Sequence, residues 1–111
     1  MSDQLVSDTD VEKALDWLRD NAAAIGEAKR SAVMAEHMLK HHRAVAMKLS
    51  GENAVSAQER EAFASPAYAA AIETTANAAG RYEEMKALRE AAALKIETWR
   101  SASANLRAMK I

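Results

Sequence analysis

His37, Met38, His41 and His42 form the one concentration of metal-ligand side chains in this 111-residue chain, which holds three histidines and no cysteine. His37 and His41 stand four apart, so on a helix they project from one face, a spacing that suits zinc, nickel or copper. A lasting site needs a third and usually a fourth donor, and partners that orient the imidazoles. Glu36 points to a different helical face, and no second histidine cluster exists. Beside Lys40 and Arg43 the group therefore reads as a solvated basic face, with no metal and no cofactor expected.

Nucleophilic chemistry has no better footing. The chain contains no G-x-S-x-G, no phosphate-binding glycine loop and no H-E-x-x-H. Ser50, Ser56, Ser65 and Ser101 fall where caps, turns or a polar helix face use them. Glu83, Glu84, Glu90 and Glu97 lie at helical spacing from Lys86, Arg89 and Arg100 and are expected to pair with them on the surface. The expectation is a protein without enzymatic activity.

The elements that position these residues are helical. Half the residues are apolar, mostly alanine, with two Trp, two Tyr and one Phe, and three Gly and one Pro leave few turns. Alanine and unbranched charged residues are strong helix formers, so the composition predicts an all-α chain of one domain. No apolar stretch approaches the ~18 residues of a membrane span, and the acidic start has no leader-like apolar region, so a cytoplasmic protein is expected.

Periodicity divides the chain into a disordered tail over 1–7 and a single helical domain over 8–111, with helices over 9–49, 57–64 and 66–110. Asp8, Thr9 and Asp10 offer N-caps for the first helix, and Val11, Leu15, Leu18, Ala22 and Ile25 form its apolar face. Gly26 within it suggests a kink or a close helix crossing. Gly51 suits a left-handed C-terminal position. Ser56 to Glu59 reads as a capping box for the short helix, and Ser65-Pro66 restarts the chain. In the last helix Met85, Leu88, Ala92, Trp99, Ala102, Leu106 and Met109 make a seam in steps of three and four, interrupted by Lys95, and Gly80 mirrors Gly26.

The expected architecture is an antiparallel hairpin of two long helices with a short linking helix, assembled as a helical bundle or coiled coil. Leu15, Leu18, Ile25, Met85, Leu88, Trp99 and Leu106 are the core or oligomer seam. A seam so rich in alanine buries little per residue, which favours self-association into a homodimer.

Net charge is −1 but unevenly placed. Asp3, Asp8, Asp10, Glu12, Asp16, Asp20 and Glu27 make the start acidic against Lys13 and Arg19. Lys29, Arg30, Lys40, Arg43 and Lys48 then face Glu36 alone. In a hairpin, Lys29 and Arg30 are expected opposite the 89–95 region, giving a mixed rather than basic patch. No aromatic residue stands among these bases to stack on nucleotides, so direct nucleic-acid contact ranks behind contact with a protein. Trp17, about a quarter turn off the apolar line, either widens that face or anchors a partner.

Glu12 to Arg19 (EKALDWLR), Ala57 to Phe63 (AQEREAF) with Ser65-Pro66 and Tyr68, and Ile96 to Ser101 (IETWRS) occur in that order. In these stretches the chain resembles a group of small α-helical proteins of temperate phages and prophages, associated with early-region recombination and replication genes. The resemblance spans most of the chain and brings no catalytic or ligand residues. It implies a setting in the host cytoplasm and a partner from the DNA-processing machinery, but no mechanism. From the residues themselves, docking through exposed helix faces is expected, with Trp17, Lys29, Arg30, Lys40 and Arg43 as the first candidates. Two further readings are direct single-stranded DNA binding by the same basic stretch, and inhibition of a host defence or nuclease complex by a helical wedge.

Overall fold

A computed structural model describes residues 5–110; Met1 to Gln4 of the expected tail and Ile111 lie outside the described residues. The order is α1 (Asp8–Leu49), α2 (Val55–Ala64) and α3 (Pro66–Met109), with no strand among the described residues. α1 and α3 form the antiparallel hairpin and α2 lies in the connection, all within two residues of the boundaries read from the sequence. Among the described residues, no helix is long and apolar enough to cross a membrane.

The helix ends follow local hydrogen-bond chemistry, and two of them differ from expectation. Residues 5–7 are not a frayed tail: Val6 is buried, and Ser7 is the N-cap of α1. The Asp10 N–H donates to Ser7 Oγ at 3.1 Å while the Ser7 N–H donates to the Asp10 carboxylate at 3.0 Å. This is a reciprocal capping box, with Asp in the place usually held by Glu or Gln.

The box expected at Ser56 does not form. α2 begins earlier, with Ala54 as an N-cap that offers no side-chain acceptor. Glu59 is drawn instead to Arg43 at 3.2 Å, and the Gln58 amide donates to the Glu52 carbonyl at 2.9 Å. Gly51 has φ +76°, a left-handed turn that ends α1 without a Cβ clash. Ser65 caps α3 as expected, its Oγ accepting from the Tyr68 N–H at 3.2 Å.

Packing gathers the expected single domain into two compact units. One contains the residues up to Ile25 together with those from Glu84 onward; the other is Gly26–Glu83. In the first unit the α1 seam is Val11, Ala14, Leu18, Asn21 and Ile25, and the α3 seam is Met85, Ala92, Ile96 and Trp99. The Trp99 indole N–H donates to the Asp8 carboxylate at 2.7 Å, fixing the antiparallel register there. In the second unit Ala28, Ala32, Ala35 and Leu39 of α1 share the core with Tyr68, Ala71 and Thr75 of α3 and the fully buried Ala62 of α2. The Thr75 hydroxyl shares its single proton between the Ala71 carbonyl of its own helix, at 2.8 Å, and the Ala35 carbonyl of α1, at 3.2 Å.

Part of the expected seam lies outside this core. Leu15, Leu88 and Leu106 are 51%, 45% and 45% exposed, whereas Ile25 and Met85 are buried and Leu18 and Trp99 half-buried. The buried face is rotated by one position, taking Ala14 in preference to Leu15 and Asn21 in preference to Ala22. Ala14 in place of Leu15 lets the two helix axes approach there. Asn21 is tolerated there because its amide donates to the Trp17 carbonyl at 2.9 Å.

Neither Gly26 nor Gly80 marks a close crossing. α1 and α3 run through them without a break, and a Cβ at either position would meet nothing within 4 Å. Each glycine therefore carries only its entropic penalty. Gly26→Ala and Gly80→Ala should each stabilise the fold by about 1 kcal/mol, read as a higher midpoint in thermal or urea unfolding followed by circular dichroism.

Candidate functional site

Several large apolar residues excluded from the core line shallow grooves on the two units. In the first unit a shallow groove of about 230 Å³ runs between α1 and α3. Its floor is Ala14 and Ala92, its walls are Trp17, Leu88 and Ala91, and Lys13 and Lys95 stand at its edges. Trp17 is half-buried, so it both widens the apolar face and leaves part of the indole open. Among the described residues neither Lys13 nor Lys95 ends in an ion pair within 4 Å.

Asp10, Asp16 and Asp20 of α1 are engaged elsewhere. Asp16 and Asp20 hold Arg19 at 3.3 and 3.1 Å, which raises the guanidinium pKa further, chiefly through the Asp20 hydrogen bond. Asp10 accepts from Ser7. That backbone hydrogen bond, then the one from the Ser7 side chain, holds its carboxyl below the ordinary value of 3.8, and the charges of Lys95 and Lys13 add to the effect.

In the second unit two adjoining grooves of about 280 and 300 Å³ share His42 and Ala67. All three hollows are open and lie at or below the ~300–1,000 Å³ of small-molecule pockets, so they suit a docked side-chain ridge better than an enclosed ligand. Among the described residues no three His, Cys, Asp or Glu side chains gather as metal ligands.

The partner-binding set expected from the sequence is divided. Trp17 belongs to the first unit, and Lys29, Arg30, Lys40 and Arg43 to the second. Lys29 lies over the Tyr82 ring at 4.8 Å rather than opposite 89–95, because the connection through α2 sets the register. Arg30 pairs with Glu27 at 3.1 Å, and Arg43 pairs with Glu59 and covers the Phe63 ring at 5.1 Å. Lys40 is exposed. The basic run is thus largely used within the fold, by partners that helical spacing alone could show only for Arg30. Lys13 and Lys95, which the sequence analysis treated as a helix-start base and a seam interruption, are the cations that flank an apolar groove. The signal for them was their position one turn from Trp17 and from Ala91, on either side of the same hollow.

Asp10 gives this region a defined pH dependence. A carboxyl with a lowered folded pKa contributes stability that is complete above its unfolded value near pH 4 and fades as pH falls through the folded value. The stability difference between the wild type and Asp10→Asn should therefore be largest near neutrality and shrink as pH is lowered from about 6 to about 2, measured by thermal melts at each pH. Comparison of the chain with protein-family models, curated proteins and solved structures finds no match to any of them.

Proposed function

We propose that this chain is a non-enzymatic accessory protein that works by docking onto another protein. The groove around Trp17 is the docking site, and an amphipathic helix with acids beside its apolar ridge is the element it takes. The observation that carries this reading is a half-buried tryptophan in an apolar hollow flanked by Lys13 and Lys95, neither in an ion pair among the described residues. Tryptophan is enriched at the few positions that dominate binding energy, and the flanking ammonium groups select a partner's carboxylates and fix its register. The resemblance supplies the setting: DNA recombination or replication of a temperate phage, in the host cytoplasm, with a protein of that machinery as partner.

Direct single-stranded DNA binding is the weaker reading, since Lys29, Arg30 and Arg43 already have partners within the fold. Inhibition of a host defence or nuclease complex uses the same groove with a different occupant.

A photoreactive residue at position 91, on the groove wall beside Trp17, would identify the protein seated there in extracts of a lysogen, and the purified pair would then be titrated. Trp17→Ala should weaken that binding by about thirtyfold or more, equivalent to about 2 kcal/mol. Lys13→Glu with Lys95→Glu should weaken it further as salt is lowered, because the reversed charges then repel most strongly. Binding that ignores all three substitutions would overturn the site. Retention of labelled single-stranded DNA that falls steeply with salt would overturn the protein-docking reading itself.

A further inference from the structure

The second unit carries a surface of different character. Met38, His42, Val45 and Leu49 follow each other on α1 in steps of four, three and four, along one side of the adjoining grooves. Ala67, Ala70 and Thr74 follow on α3 in steps of three and four, along the other side. Long side chains thus stand beside a row of small ones, and the long row is open: Val45 is 39% and Leu49 77% exposed. Ala35 and Ala71 close the floor.

We infer that this face is occupied by a second copy of the chain. A row of knobs beside a row of hollows is self-complementary. A twofold axis parallel to the helices preserves height, so it lays Met38 of each copy over Ala70 and Thr74 of the other, and His42 and Val45 over Ala67 and the start of α3. The contact then forms twice, as a closed isologous interface requires. Because α1 and α3 are antiparallel in this unit, each new neighbour is antiparallel too. The product is a four-helix bundle core with the three-and-four spacing of knobs-into-holes packing.

The exposed area supports a partner of this size. The chain exposes 8210 Å². A folded monomer of 12.1 kDa is expected to expose about 6,000 Å². The surplus, about 2,200 Å² over the whole chain, leaves room for an obligate interface, which removes about 1,000–2,500 Å² from each chain. The inference is independent of the Trp17 groove, which belongs to the other unit.

The test is solution mass by light scattering or sedimentation over a range of concentrations, with Ala70→Glu as the variant. Ala70 is exposed in the single chain, so the substitution leaves the fold intact, which circular dichroism verifies. The wild type should have twice the 12.1 kDa chain mass, and the variant should weaken the dimer by about a hundredfold with its helix content retained. The absence of native cysteine allows a direct check on orientation. Val45→Cys mixed with Ala67→Cys should yield a disulfide between chains on mild oxidation, whereas Val33→Cys, on another face of α1, should not. Mixing single variants keeps a link within one chain from counting. A monomer at every concentration would overturn the inference. So would a dimer that tolerates Ala70→Glu, or one that crosslinks through Val33→Cys.

Discussion

Close packing of two alanine-rich helix faces is the interaction on which the rest of this structure depends. Ala14, Ala28, Ala35, Ala71 and Ala92 are buried where α1 and α3 meet within each unit, and Ala62 brings α2 against the second. Alanine lets the axes approach and costs no side-chain entropy, yet each buried methyl contributes only about 0.8 kcal/mol. The seam is therefore well defined but thin. It is reinforced by a few directional contacts: Trp99 with Asp8, Thr75 with Ala35, and Arg43 with Glu59.

That choice of core has a consequence for the surface. When alanines fill the seam, the larger apolar residues one position away on the same helices are left outside it, as Leu15, Leu88, Val45 and Leu49 are. A helix face can hide its bulky residues in its own hairpin or offer them to something else, and here it largely does the latter. The two units then offer different surfaces. One is an apolar hollow between lysines, suited to an acidic ridge. The other is a row of long side chains beside a row of short ones, suited to its own twin.

The charged residues tell a related story. A basic run read along the chain from Lys29 to Arg43 resembles a binding stripe until the partners of each member are placed. Lys29 rests on Tyr82, Arg30 on Glu27, and Arg43 between Glu59 and Phe63. Of these partners, only Glu27 lies within one helical turn of its base. The others depend on where α2 and α3 return, which linear spacing does not reveal. Lys13 and Lys95 are separated by most of the chain, and only the hairpin places them at the edges of one groove.

The helical class, the three elements, their approximate ends and the hairpin order were legible in the chain alone. Those features rest on local physics: alanine and charged-residue propensity, the Gly51 turn, and the Ser65-Pro66 start of α3. It was ambiguous wherever two faces of one helix carried similar periodicity. Val11, Leu15, Leu18 and Ala22 satisfy a three-and-four pattern, and so do Val11, Ala14, Leu18 and Asn21. The first set is the more hydrophobic, and hydrophobicity was the only criterion a single chain supplied. The fold uses the second, with Ala14 rather than Leu15 at the helix contact and Asn21 held by the Trp17 carbonyl. The α2 start also lies earlier than Ser56, and Glu59 pairs with Arg43 of α1 rather than with its own helix end. What the side chains were was local information; which of them met was set by distance and register between helices.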